Sequence, residues 1–184
     1  MKNGVTNTTA KGFVIGPGMV YKDFISPASP GTLIGATAGG NTARMTTEYF
    51  SPQIDGVAGP LMEATRIVGA KGEIEANFIE ITKDTLMLSL AGATISPAGS
   101  SHHKITGGLA ISAGSFNSAI AIVGERSGTT DPVCFVVKNA ISGDPAEFAL
   151  NDGKGSVGLK VKFTGYFTAA SPNVVPWDIY YPTA

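Results

Sequence analysis

The sequence predicts a mainly β domain, an antiparallel β-sandwich or barrel with one short flanking α-helix. Two observations carry this. Gly and Pro number 24 and 11, and they are scattered along the 184 residues instead of gathering in one linker. Frequent turn punctuation with short apolar runs between is the pattern of an all-β chain. Several of the runs also alternate apolar and polar side chains at period two, as strands with one packed and one wet face do.

Taken in order, residues 1–12 are small and polar without periodicity and read as an N-terminal arm. The domain follows over 13–170. Phe13–Ile15 and Met19–Tyr21 are strand-like, and Gly16-Pro17-Gly18 between them is a turn or a bulge, since Pro cannot donate in a central ladder. Ser26 to Gly31, with two prolines, is a loop. Thr42 to Phe50 reads as a strand, Asp55-Gly56 is a short-range hairpin signal, and the next strand carries Leu61 to Val68. Residues 42–68 are thus expected to form one long projecting hairpin. From Glu73 the alternation is clean, with Ile74, Ala76 and Phe78 on one face and Glu73, Glu75 and Asn77 on the other.

That alternation breaks at Ile79-Glu80-Ile81, where a helix takes over at about 83–91. Thr82 is its expected N-cap, Asp84 sits in the first turn, and Leu86, Met87 and Leu90 fall at helical spacing before Gly92. Further strands are expected near Lys104–Ser112, Ser118–Gly124 and Pro132–Ile141. A last hairpin pairs Ala146–Leu150 with Val157–Thr168 across Asn151–Gly155, placing Val157, Leu159, Val161, Phe163 and Phe167 on one face and Lys160, Lys162, Thr164 and Tyr166 on the other. Residues 171–184 hold prolines beside Trp177, Tyr180 and Tyr181. They read as an irregular C-terminal arm that packs onto something, and its removal is expected to spare the fold.

Composition narrows the function. Charged residues make up 15% of the chain, below the roughly 25% of an average soluble domain. Fewer charges leave less of the surface committed to water, which favours cover by other protein. The formal net charge of −1 gives no basic nucleic-acid footprint. The one cysteine, Cys134, lies in the apolar run Val133–Val137 and reads as a small buried hydrophobe. No apolar leader opens the chain, and no run approaches the roughly 18 apolar residues of a membrane span. A soluble protein made in a cytoplasm is expected, with no membrane partner.

No constellation of catalytic or metal-binding residues emerges. His102 and His103 are adjacent, so in an extended chain they point to opposite faces and cannot easily share a metal; a solvated turn beside Ser100-Ser101 is their expected setting. Asp152-Gly153-Lys154-Gly155-Ser156 lacks the Gly-Lys-Ser/Thr order and the following helix of a phosphate loop. Glu73 and Glu75 are strand neighbours about 7 Å apart without a His partner. They read as a solvated or lumen-facing acidic stripe. No enzyme, cofactor or metal is therefore expected.

One ordered set of features resembles a known family. It comprises Ala36-Thr37-Ala38-Gly39-Gly40 before a strand, Ile54-Asp55-Gly56 with Gly59-Pro60 after it, Arg66 and Val68, then Gly72–Thr82 and Leu86–Leu90. The set is similar to the major tail tube proteins of long-tailed bacteriophages, a structural virion family shared in fold with tubes of contractile tails and secretion systems. The resemblance implies hexameric rings in which strands of each subunit join an inner barrel, with the helix outside and the rings stacked into a tube. On that basis Gln53, Ile54, Asp55, Gly56 and Val57 would contact the neighbouring ring, Glu73 and Glu75 would face the lumen, and Trp177, Tyr180 and Tyr181 would add arm contacts.

It also implies partners and place. These are further copies of the chain together with tail terminator, tape-measure and baseplate proteins, in a virion made in bacterial cytoplasm. DNA would pass through during ejection without specific binding. The alternatives are the tube of a contractile injection or secretion system, or a ligand-binding β-sandwich module.

Overall fold

A computed structural model of the chain describes residues 14–127, 131–144, 146–149 and 158–183. The arm expected over 1–12 and the turn expected over Asn151–Gly155 lie outside the described residues. Eleven strands are described: β1 (Val14–Lys22), β2 (Thr32–Leu33), β3 (Thr42–Phe50), β4 (Arg66–Phe78), β5 (Thr94–Ala98), β6 (His102–Thr106), β7 (Asn117–Arg126), β8 (Val133–Ser142), β9 (Glu147–Ala149), β10 (Gly158–Gly165) and β11 (Trp177–Tyr180), with helix α1 (Lys83–Ser89) between β4 and β5. The mainly β, antiparallel class with one short helix holds.

Nine strands form one sheet in the order β2-β1-β7-β8-β10-β4-β3, with β11 added to β8 and β9 to β10, while β5 and β6 pair only with each other. Every strand pair described in the large sheet is antiparallel. The sheet folds back on itself. Val20 of β1 shares a core with Ile74 and Phe78 of β4, although three strands separate β1 from β4 along the ladder. Ile120, Val137, Leu159, Val161 and Phe163 complete this core, and Leu86 and Leu88 of α1 cover it.

Among the described residues the ladder ends at β2 and β3. Residues 34–38 span the gap between its two halves. The Ile34 amide donates to Val20 O at 3.0 Å, the Ile79 amide to Ala36 O at 2.9 Å, and the Ala38 amide to Asn77 O at 3.0 Å.

A second cluster, Phe24, Ala119, Ala121, Val123, Cys134 and Val136, lies on the opposite face of β7 and β8. Those two strands are buried on both faces, which is why 119–123 and 133–137 are continuously apolar instead of alternating.

Several expectations change. Gly16-Pro17-Gly18 is a bulge inside a single strand, where the β1–β7 register shifts between Ile15 and Met19. The expected separate strands at Leu61–Val68 and from Glu73 are one thirteen-residue strand, β4, preceded by a 3-10 turn at Met62–Ala64. Asp55-Gly56 forms a turn within the 51–65 connection, and does not itself join the strands.

The strand expected at 104–112 ends at Thr106, because Gly107-Gly108 follows and glycine weakens a strand interior. His102 and His103 lie on that strand, β6, opposite Ala98 and Pro97, and not in a turn. Helix α1 ends two residues earlier than expected. Its cap is as read: the Thr82 hydroxyl accepts from the Thr85 amide at 3.2 Å, and the Thr85 hydroxyl accepts from the Thr82 amide at 2.8 Å.

The C-terminal arm departs most from expectation. Trp177–Tyr180 is strand β11, paired with Cys134–Val137 of β8. It takes the edge of β8 that β10, paired at 140–142, leaves free. Pro176 is fully buried, and its carbonyl accepts from the Lys138 amide at 2.8 Å. This segment belongs to the domain.

Candidate assembly surface

Strand β4 is longer than its neighbour β10. β10 covers β4 only from Glu73 to Phe78, whereas β3 follows it back to Arg66. Residues 46–50 and 66–71 therefore form a two-stranded ribbon beyond the main sheet. Among the described residues its outer strand β3 has β4 as its only ladder partner, which leaves one edge of a nine-residue strand open. Such an edge is a template for pairing with another chain. A two-stranded ribbon alone is only marginally stable in water.

Side chains add to this. Tyr49, Phe50, Ile67 and Val68 are all more than half exposed. Adjacent strand residues point to opposite faces, so both faces of the ribbon end are apolar. The connection 51–65 continues the pattern with exposed Ile54, Val57, Leu61 and Met62, the last 82% exposed. It holds a defined shape. Ser51 Oγ and Thr65 Oγ1 lie 2.7 Å apart across its neck, Thr65 Oγ1 donates to Leu61 O at 2.8 Å, and the Val57 amide donates to Ile54 O at 3.2 Å. Gln53, Ile54, Asp55, Gly56 and Val57 are exposed together at this tip.

Glu73 and Glu75 lie on the face of β4 turned away from the core, as their alternation requires, but they do not form a solvated acidic stripe. Glu73 is only 7% exposed. Its Oε1 meets Lys71 Nζ at 2.7 Å and Lys162 Nζ at 3.0 Å, and Arg44 Nη1 stands 4.0 Å from Oε2. Glu75 pairs with Lys160 at 2.6 Å, and Lys162 also reaches Asp144 at 3.5 Å. The hydrogen bond from Lys71 holds the Glu73 carboxyl below its ordinary value; burial opposes this and Lys162 reinforces it. The sequence carried no signal for this network beyond Lys71, because Arg44 and Lys162 arrive through strand register.

The aromatic residues of the C-terminus are split. Trp177 is half-buried against Gly72 and Val137. Tyr180 packs on Phe24 with ring centroids 5.4 Å apart, and Arg126 stacks over Tyr181 at 5.1 Å. Tyr181 remains more than half exposed. Among the described residues no three His, Cys, Asp or Glu side chains come together as a metal site, and no helix is long and apolar enough to cross a membrane. Compared with known proteins, the chain matches no family model and no curated sequence.

Proposed function

We propose that this chain is the repeating subunit of a phage tail tube, a structural virion protein that self-assembles into stacked rings. The observation that carries the reading is the β3 edge with its ribbon. A nine-residue strand whose outer edge has no partner among the described residues and a run of exposed apolar side chains lie on one continuous element. Pairing of such edges around a ring removes them from solvent. A head-to-tail contact that closes on itself makes the ring, and one that does not close makes the stack.

The charged face of β3, β4 and β10 suits the wall of a DNA passage. Lys71, Lys160 and Lys162 are each held by a carboxylate within 3.0 Å. Free ammonium groups would bind phosphates and release counterions, which holds DNA in place. Cations already engaged by Glu73 and Glu75 offer far less grip. In this reading Glu73 and Glu75 line the lumen as neutralising partners and not as a bare acidic wall.

Electron microscopy of negatively stained protein across a concentration series tests the proposal. Rings or hollow tubes are expected as concentration rises. A chain that stays monomeric at every soluble concentration refutes it.

A further inference from the structure

The cluster around Glu73 has the build of an anion site whose occupant is part of the chain. Three cations from three strands converge on one carboxylate: Lys71 Nζ of β4 at 2.7 Å, Lys162 Nζ of β10 at 3.0 Å and Arg44 Nη1 of β3 at 4.0 Å. Strand geometry explains the convergence. Arg44 is the direct cross-strand neighbour of Glu73, Lys162 reaches it diagonally from its place opposite Glu75, and Lys71 lies two residues back on the same face. Ammonium and guanidinium groups gathered in this way donate to a phosphate oxygen as well as to a carboxylate oxygen.

Glu73 differs from the second carboxylate of this face. Glu75 engages Lys160 alone, and both side chains are exposed, as in an ordinary surface pair of small worth. Glu73 is 7% exposed although the Arg44 and Lys71 side chains are more than half exposed. The carboxylate thus lies beneath its cations while the cations face outward. The hollow between Thr42, Arg44, Glu73, Glu75 and Lys162 measures about 10 Å³, room for one water at most. No larger anion enters while the carboxylate fills the place. Without Glu73, Arg44 and Lys71 have no other carboxylate within ion-pair distance among the described residues, and Lys162 keeps only Asp144 at 3.5 Å.

We propose that Arg44, Lys71 and Lys162 form a site for the phosphates of a polynucleotide backbone, and that Glu73 holds this site shut. One residue, and not the overall charge of the face, then keeps the chain from gripping DNA. The inference rests for its purpose on the reading of this face as the wall of a DNA passage, but the site itself belongs to the single chain.

Glu73→Ala opens the site, and labelled duplex DNA followed by fluorescence anisotropy tests it on the unassembled chain. At about 50 mM salt E73A should bind at least about tenfold more tightly than wild type, with a salt slope of roughly −2.7, three cations at −0.9 each. Adding Lys162→Ala to E73A should return binding to the wild-type level, and Glu75→Ala, which frees Lys160 alone, should gain less than about threefold. Inorganic phosphate should raise the melting midpoint of E73A above its value in chloride of equal ionic strength and leave wild type unmoved. Glu73→Gln, which keeps the side-chain volume, carries the same comparison if E73A does not fold. Binding no better than wild type, or an equal gain in E75A, overturns the inference, and a response to inorganic phosphate without DNA binding overturns the polynucleotide as ligand. Failure in these single-chain assays leaves the tube reading standing. A chain that gains DNA binding but never forms rings or tubes keeps the site and loses the passage.

Discussion

Replacing Trp177 by Ala separates a docking arm from a strand of the domain. In a free arm the indole contributes nothing to the stability of the isolated subunit. Here it lies against Gly72 of β4 and Val137 of β8, with its own strand paired to β8 from Cys134 to Val137. A half-buried indole removes roughly 100 Å² of apolar surface from water, worth about 2.5 kcal/mol at ~25 cal/mol per Å². That agrees with the lower end of the ~3–5 kcal/mol measured for fully buried Trp→Ala. For a chain of this length the melting temperature should fall by about 5–10 °C.

Trp177 is the only tryptophan, so the loss should be followed by far-UV circular dichroism in urea and on heating, at a concentration where the chain is monomeric. Trp177→Phe supplies the control. The indole N–H is buried without an acceptor among the described residues. Phe keeps most of the packing and discards that unsatisfied donor, so W177F should cost less than about 1 kcal/mol. A W177A midpoint equal to wild type refutes the placement of β11 in the domain.

Two further outcomes follow from the same core. Glu73→Gln should cost about 1–2 kcal/mol at neutral pH, because the charged hydrogen bonds from Lys71 and Lys162 weaken. Glu73 titrates below its ordinary 4.5 in the folded chain, so its contribution is fully present above that pH and disappears as pH falls through the lowered folded value. Urea midpoints between pH 7 and pH 3 should therefore converge for wild type and E73Q, and a constant gap would show that charge is not the cause. Gly165→Ala would place a Cβ 2.6 Å from Val137 Cγ1 and 2.9 Å from Pro176 O. Overpacking against backbone should cost about 2–3 kcal/mol, whereas Gly143→Ala, with open space around its Cβ, should be near neutral.

What could be read from the sequence was what depends on near neighbours. Alternation placed Leu159, Val161 and Phe163 in the core and Lys160 and Lys162 outside, and all five lie so, whereas Phe167 on the same expected face lies past the end of β10 and is exposed. Val157 lies outside the described residues. The Thr82 cap follows from residues within one helical turn. Register is a different matter. That Glu73 sits opposite Arg44 and two residues from Lys162's register partner Glu75 depends on how β3 and β10 align with β4. Gly69 and Gly72 interrupt the pattern of β4, so a single long strand reads as two. β11 is four residues between Pro176 and Pro182, too short for periodicity to show. It is ordered because β8 has a vacant edge there, which no local pattern reports. Pro97 likewise hides β5, a strand whose only partner is β6 and whose other edge tolerates a residue without an N–H.

The exposed ribbon and tip also set how assembly should proceed. Tyr49, Phe50, Ile54, Met62, Ile67 and Val68 are between 43% and 82% exposed. Burying what remains of each is worth roughly half the ~1.5–3 kcal/mol of full burial, so about 4.5–9 kcal/mol for the six together. Bringing two subunits together costs an estimated 4–15 kcal/mol. One such contact is thus close to balance, and two isolated copies have little reason to stay paired. In a tube as proposed, a subunit entering a ring that is already part of a stack would make lateral and axial contacts after losing its translational freedom once. On the proposed reading, the open β3 edge and the tip would be tolerable on a solitary chain for the same reason that they would be productive in a lattice. Each is too weak alone, and together they favour growth above a threshold concentration over a gradual accumulation of dimers.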